Sequence, residues 1–567
     1  MHKVCLEPIG KELEVNHNTP LRDIVAELGL EFPCGGNGFC GNCKVRIMAG
    51  DIEVSEQHAR MLQKKGLSSQ WRLACYSHVT EDVTLYIDQC ECIVQTDQTL
   101  FPVQPEDGYG IAVDLGSTTI VTQLINLYNG HIVAVSTSLN PQSAYGADII
   151  SRISYALSSE EHLQQLCQLV RHAIKKLILE MVGDHYYDIR KVVISGNSVM
   201  YSLFCALDVS TLAVYPFQSR QNDMQEFTPQ DLDWPLPSGC HICFLPNIGH
   251  FVGSDILSGI EAIQMHTKKK FQALIDLGTN GEIAIGNREK ILCASTAAGP
   301  AFEGIHISQG MRASAGAIYQ IDEHNNCPKI IGNGKAIGIC GSGLVDAMYL
   351  FLKQRKIDTS GAITRGVPFL AVAGKIGITD KDIREFQLAK AAICTGIEIL
   401  TKELNISIDD IEHLYIAGGL GNYLDIDKAI AIGLLEIKDK VKVIKVNNSA
   451  LLGTRMFLFQ NTIHDRTTIL NIAQHCSLES HVNFQDIYCE KLFFLTYQNN
   501  RFQVRFIVFS SRFSSLQYSL GVLPVIPLNC LLKCDKLLYP QSYAIWLIAI
   551  FLFINNFTAY EIRNSDK

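Results

Sequence analysis

Near the N-terminus, short apolar stretches are broken by turn residues. Lys3 to Pro8 and Glu12 to Val15 read as two strands around a turn at Ile9-Gly10, and Leu21 to Leu28 as a helix ended by Gly29. Strands are predicted again at Lys44 to Met48 and Val83 to Ile87, giving a small strand-rich unit with one helix that ends near Cys92. From Gln95 to Gly108 the apolar periodicity stops, and Pro102, Pro105 and polar residues give the composition of a linker. Beyond Tyr109 the pattern changes to buried strands that break into glycine-rich turns and lead into helices, the texture of α/β architecture. Leu163, Leu166, Leu169, Val170, Ala173, Ile174, Leu177 and Ile178 form a helical stripe between Glu161 and Met181, leading to a strand at Val192 to Ser195. A second strand-turn unit begins at Ala273 to Asp276. Its signature, Leu274-Ile-Asp-Leu-Gly-Thr-Asn-Gly281, is similar to Ile111-Ala-Val-Asp-Leu-Gly-Ser-Thr-Thr119, which suggests an internal duplication. The expected organisation is a first domain over 1–94, a linker over 95–108, a large α/β domain over 109–494 and a tail over 495–567.

The tail differs in composition, with seven basic and three acidic residues, and its apolar run Tyr543 to Ile554 is too short to span a bilayer, which takes about 20 residues. An appended segment from an insertion or altered reading frame, a membrane-surface anchor and a packed extra element all stay open for it.

Across all 567 residues, 47% are hydrophobic and 19% charged, with a net charge of −9. Those totals exclude a disordered acidic chain and a polybasic nucleic-acid binder, and no basic run exceeds Lys268-Lys269-Lys270. Nucleic acid is not an expected partner. The 19 cysteines and an N-terminus without an apolar signal region point to the cytoplasm, where thiols stay free or bind metal.

Cys34, Cys40, Cys43 and Cys75 follow the spacing C-x5-C-x2-C-x31-C. Three thiols in one glycine-rich loop and a fourth farther on suit a [2Fe-2S] cluster, which takes two thiolates per iron. Glycines at 35, 36, 38 and 41 let backbone N–H groups approach the cluster. Four thiolates also satisfy tetrahedral zinc, so a zinc site or a set of unligated core thiols is the alternative, although zinc ribbons pair C-x2-C with C-x2-C and only one such pair is here. Cys240-His-Ile-Cys243 has no partner pair nearby and reads as structural, and Cys90-Glu-Cys92 has no ligand spacing. This part of the chain resembles adrenodoxin-like and plant-type ferredoxins, which implies a β-grasp fold.

At Asp114-Leu-Gly-Ser-Thr-Thr119 a strand ends in an acid, a glycine and three hydroxyl residues, a turn suited to phosphate oxygens and to Mg²⁺. Asp276-Leu-Gly-Thr-Asn-Gly-Glu282 repeats the chemistry, so the two turns could grip a triphosphate from both sides of a cleft. Leu414-Tyr-Ile-Ala-Gly-Gly-Leu-Gly421 is a third strand running into a glycine turn, where adenine or ribose can approach the backbone. Ordinary glycine turns of a doubly wound sheet are the plainer reading. Asp255 reads as a helix-capping acid ahead of a second role near the site, and His250 and His306 are not expected to be catalysts.

In this order the three elements resemble the ATPase core of the acetate and sugar kinase, heat-shock chaperone and actin superfamily. The resemblance implies two duplicated α/β domains of ribonuclease H-like fold with ATP between them. Gly338-Ile-Cys-Gly-Ser-Gly-Leu-Val-Asp346 resembles a connecting-helix motif of that superfamily, with glycines for close packing and an expected hinge role. The whole order, with Ala297-Ala-Gly-Pro-Ala-Phe-Glu-Gly304 between the second phosphate turn and the last glycine turn, resembles reductive activators of corrinoid-dependent proteins over residues 1–494.

That resemblance implies ATP-dependent passage of one electron from the cluster to cobalt(II), regenerating cobalt(I) for methyl transfer. Its implied partners are a corrinoid protein and an upstream low-potential electron donor, and a homodimer would fit. Cys34, Cys40, Cys43 and Cys75 would be the cluster ligands, and Asp114 and Asp276 would organise Mg²⁺ and the attacking water. Gly116, Ser117, Thr118 and Thr119, with Gly278, Thr279, Asn280 and Gly281, would cradle phosphates. Gly418, Gly419 and Gly421 would border the nucleotide. The short interval 95–108 leaves no room for the extra middle domain that some members carry before the ATPase core. The rival reading is a small-molecule kinase or redox-sensing ATPase regulated by its cluster.

Overall fold

The structure is a computed structural model that describes residues 1–495 except 8–10, 27–42, 87–98, 100, 147, 216, 279, 297, 305, 334, 365–366, 422, 438–441 and 460–462. Everything described belongs to the unit Met1–Thr496. Cys34, Cys40, Cys90, Cys92, Thr279 and the apolar run of the tail lie outside the described residues.

In β1 (His2–Glu7) Val4 and Leu6 are buried while their neighbours are less so, the period-two pattern of a strand with one face on a core. β2 (Lys11–Val15) returns antiparallel, with Leu6 opposite Lys11. With β3 (Lys44–Ala49), β4 (Trp71–Leu73) and β5 (Val83–Tyr86) they form a five-stranded sheet of order β2-β1-β5-β3-β4, in which β1 and β5 are parallel. Leu21 and Val25 of the helix Leu21–Ala26 pack on its core together with Leu62 of a second helix, Glu56–Lys64. The second helix is not predicted by the apolar pattern because its buried residues are only His58 and Leu62. Ser55 starts it by accepting from the His58 N–H at 3.3 Å. A mixed sheet with helices across it is the β-grasp arrangement.

The rest is a duplicated α/β core. In its first half β6 (Tyr109–Leu115), β7 (Thr119–Asn126) and β8 (Ile132–Leu139) make an antiparallel meander. β9 (Ile189–Gly196) pairs parallel to β6, and β10 (His241–Phe244) parallel to β9. The order is β8-β7-β6-β9-β10, with Gln225–Phe227 added at the edge. In the second half β11 (Gln272–Leu277), β12 (Gly281–Gly286) and β13 (Ile291–Thr296) repeat the meander, and β14 (His413–Ala417) and β15 (Val443–Lys445) repeat the parallel pair. That order is β13-β12-β11-β14-β15, with Ala473–His475 beside β13. The long helices Glu160–Val182 and Asp380–Glu403 lie between the third and fourth strands of their halves and are capped by Ser159 and Thr379.

The halves meet through equivalent helices that follow their fifth strands, Ser254–Ala262 and Ser449–Met456. A Cβ on Gly453 would stand 1.8 Å from the Ser258 carbonyl oxygen, so glycine is what lets these backbones touch. Leu257, Ile260, Leu274 and Leu451 close one shared core around them. Residues 101–108 have no regular structure yet are packed: Phe101 meets Phe459 edge-on at 5.7 Å, and Glu106 pairs with Lys191 at 2.5 Å. Among the described residues no helix is long and apolar enough to cross a membrane.

Candidate functional site

The repeat brings the two phosphate-type turns to one cavity of about 270 Å³. On the first half, the Gly116 N–H donates to the Thr119 carbonyl at 3.0 Å, closing the turn between β6 and β7. On the second, the Gly278 N–H donates to the Asn280 carbonyl at 3.1 Å between β11 and β12. Asp114, Gly116, Ser117, Thr118 and Thr119 line the cavity from one side, and Asp276, Gly278 and Asn280 from the other. Gly418 and Gly419 line it too, while Gly281 and Gly421 sit behind the wall. Gly281 opposes Thr296 in the sheet, and the Gly421 N–H closes a turn onto the Gly418 carbonyl at 3.1 Å.

Three residues that the sequence did not single out complete the floor. Glu282 is the cross-strand partner of Asp276, so the hairpin register sets two carboxylates side by side. Asn448 caps the helix Ser449–Met456 by accepting from the Leu451 N–H, and its amide donates to Asp114 Oδ2 at 2.7 Å. Glu303, from the Ala297–Gly304 segment, accepts from the Thr118 hydroxyl at 3.5 Å and so bridges the halves. Asp255 corrects the capping expectation. Gly253 occupies the N-cap position, and Asp255 lies in the first helical turn at the cavity wall.

Five carboxylates thus line one cavity, and among the described lining residues Arg312 is the cation. Burial pushes the Asp114 carboxyl up to about 6 against the opposing Asn448 bond. Burial and then Asp114 push Asp276 up to about 7, and burial, Asp276 and Asp114 do the same to Asp255. Glu282 is raised well above its usual range by burial and by Asp255 and Asp276. Mutual repulsion of this kind is relieved by a divalent cation, and the oxygen-only donor set fits Mg²⁺.

In the first module, Cys43 and Cys75 bring their sulfurs to 3.2 Å, and neither is in a disulfide. Two adjacent thiols, one buried and one half-buried, fit a pair of ligands to one iron. The neighbouring backbone is held by the Ala74 N–H on the Cys43 carbonyl at 2.8 Å and by the Leu73 N–H on His58 Nε2 at 2.9 Å. Cys240 and Cys243 are buried thiols outside any disulfide, and burial pushes both up to about 12. In the Gly338–Asp346 segment, Gly341 and Gly343 start the helix Gly341–Lys353, where a Cβ would stand 2.1 Å from the Phe302 and Ile318 carbonyls. His250 stacks on His475 at 4.1 Å, away from the cavity.

Comparison with known proteins gives this geometry a family. Models described as the 2Fe-2S iron-sulfur cluster binding domain, the RACo middle region and the C-terminal domain of RACo, the ASKHA domain, match residues 5–80, 109–268 and 270–505. The corrinoid activation enzyme RamQ of Eubacterium limosum is 33% identical over 585 residues, covering 86% of this chain and 98% of RamQ. The chain belongs to the family of reductive activators of corrinoid proteins. A [Co(II) methylated amine-specific corrinoid protein] reductase of Methanosarcina barkeri is 28% identical over 421 residues, 67% of this chain and 76% of the reductase. The solved structure of a reductive activator for corrinoid, iron-sulfur protein aligns with a TM-score of 0.62 at 25% identity, over 87% of this chain and 98% of its own. The family's middle-region model falls on 109–268, the first α/β half of the core itself.

Proposed function

We propose that the chain hydrolyses ATP between its two α/β halves and couples that cycle to one-electron reduction of a corrinoid protein, returning cobalt(II) to cobalt(I) for methyl transfer. The observation that carries this reading is the approach of two equivalent turns, at Asp114 and Asp276, to one cavity in a chain whose Cys43 and Cys75 sulfurs are 3.2 Å apart. When held by Cys34, Cys40, Cys43 and Cys75, a [2Fe-2S] cluster supplies a one-electron donor, near about −400 mV for the plant type. Mg²⁺ on Asp114 and Asp276 would supply the charge neutralisation that a triphosphate needs among five carboxylates.

The residues divide the remaining work. Backbone N–H groups and side-chain donors of Gly116, Ser117, Thr118 and Thr119, and of Gly278, Thr279 and Asn280, cradle the phosphates, with Gly281 behind them. Gly418 and Gly419 give the nucleotide a flat border, and Gly421 closes the turn behind them. Asn448 fixes the orientation of Asp114 through Oδ2. Asp276, at the second phosphate turn, would orient the attacking water together with Asp114. The Gly338–Asp346 segment is the hinge of this scheme, and ATP supplies the drive, since each 59 mV of adverse potential costs about tenfold for one electron. An upstream low-potential donor reloads the first module. The division into 1–94, 95–108, 109–494 and a separate tail, a homodimeric state and a cytoplasmic site of action belong to the same reading.

The test is anaerobic. The cluster-loaded chain is reduced and mixed with a cobalt(II) corrinoid protein, and the visible spectrum is followed with and without Mg-ATP. The cobalt(I) band is expected only with Mg-ATP, and Cys43→Ser or Asp114→Ala should abolish it. ATP turnover that answers to small hydroxyl compounds, without cobalt reduction by an intact cluster, would replace this reading with the regulated kinase.

A further inference from the structure

The helix Ser254–Ala262 carries Asp255 to the cavity at its first turn, and its last turn carries Glu261 into a second polar cluster. Glu261 is fully buried. The chain then turns through Gln264 and the short helix Met265–Thr267, which returns His266 toward Glu261. Asp465 arrives from a distant part of the chain on the helix Ile463–Ile472. His266 Nε2 lies 3.8 Å from Glu261 Oε2 and 3.6 Å from Asp465 Oδ1, and one donor atom from each residue falls within 4.8 Å of the others.

What distinguishes this cluster is what is left unpaired. Gln264 Nε2 donates to Glu261 Oε1 at 2.8 Å, which fixes the carboxylate, but Glu261 Oε2 has no hydrogen-bond partner. The His266 side chain is 3% exposed, and neither ring nitrogen has a hydrogen-bond partner. Orphaned buried polar atoms are rare because each costs about 1–3 kcal/mol. A protonated His266 bridging the two acids does not account for them, since both separations exceed hydrogen-bond length and burial outweighs the pull of Asp465 in disfavouring the imidazolium.

We infer that Glu261, His266 and Asp465 form a site for a divalent transition metal of the Zn²⁺ class. One imidazole and two carboxylates with a free position for water is a borderline donor set that suits Zn²⁺ better than Mg²⁺. Two bonds of about 2.1 Å at a tetrahedral angle hold donors roughly 3.4 Å apart, so the two spacings from His266, 3.8 and 3.6 Å, need only a small contraction. Asp465, a third exposed, gives the ion a way in. Gln264 is the outer partner that orients Glu261. Bound there, the metal staples the helix Ile463–Ile472 to the far end of the helix that serves the nucleotide cavity, about 9 Å along its axis from Asp255.

The test uses the full chain with its iron cluster loaded and loosely held metal removed by chelator. Zinc is then titrated by equilibrium dialysis, with zinc and iron measured separately. One zinc per chain beyond the cluster iron is expected, weakened about 100-fold by His266→Ala and about tenfold by Asp465→Asn, and unchanged by Cys240→Ser. Zinc should also raise the thermal midpoint of the parent chain and not of the His266 variant. If His266→Ala does not fold, Asp465→Asn, altered at a partly exposed position, decides. Absence of zinc at tens of micromolar, or equal affinity in the parent and the variants, overturns the site.

Discussion

Gly418 stands where a side chain cannot. Its φ is +84°, and a Cβ there would lie 2.6 Å from the Leu277 carbonyl and 2.7 Å from Asp276 Oδ1. Gly419, next to it, has open space around its Cβ position and no positive φ. Gly418→Ala should therefore cost about 1–3 kcal/mol of stability through strain and displace Asp276, whereas Gly419→Ala should be near neutral for folding. Denaturant unfolding and ATP affinity measured on the pair test this, and equal effects from the two substitutions would refute it. The glycine itself was legible in the run Ala417-Gly-Gly-Leu-Gly421, but its reason was not, because the close approach to Asp276 needs the parallel pairing of β11 with β14. Glu282 shows the same limit. It stands in the repeated motif, yet only the hairpin register that sets it opposite Asp276 turns it into a site residue. Asn448 carried a signal, an Asn-Ser helix start after a strand, but its second bond to Asp114 spans 334 positions of the chain.

At the scale of elements, what the apolar pattern found was what buries a continuous stripe. The helix Glu160–Val182 and the strands before the two phosphate turns were readable for that reason. The helix Glu56–Lys64 was not, since a histidine supplies half of its buried face. His58 holds that helix to β4 by accepting the Leu73 N–H and stacks on Tyr76 at 5.2 Å. Burial, and then Arg72, pull its pKa from 6.5 down to about 4. The unfolded chain therefore takes up the proton first, so the stability of this module is retained above about pH 6.5 and falls as the pH drops toward 4. His58→Gln keeps an acceptor near the Nε2 position without titrating, and it should flatten that slope. The measurement is the denaturant midpoint of the visible cluster absorbance from pH 4.5 to 8. An unchanged slope in the variant would assign the acid sensitivity to other groups. The segment 95–108 is a related case: its composition says linker, yet Phe101 and Glu106 dock residues 101–108 on the α/β core through single side chains that periodicity cannot register.

For the whole molecule, the proposed coupling of ATP to electron transfer requires that the cavity and the ferredoxin-like module sense each other, and one loop touches both. Its ends are pinned by the Met311 N–H on the Ile339 carbonyl at 2.9 Å and by the Gly316 N–H on the Ile331 carbonyl at 3.0 Å. Between those pins Arg312 lines the cavity, and Ala315 packs against the core of the ferredoxin-like module. Neither the apolar pattern nor the motifs marked this loop, because its residues acquire meaning only when two parts of the chain distant in sequence meet across it. Among the described lining residues Arg312 faces five carboxylates as the cation, so it is the side chain most changed when a triphosphate and its metal enter. A shift of Arg312 toward phosphate moves the three residues after it, and with them the surface that Ala315 presents. Mg-ATP should therefore slow amide hydrogen exchange over 311–316 and at the facing strands of the first module. Arg312→Ala should remove the response in the first module while weakening ATP binding by about tenfold or less. Protection that spreads to the first module equally in Arg312→Ala would show that coupling runs by another route, through residues 101–108 or the helices that join the two halves.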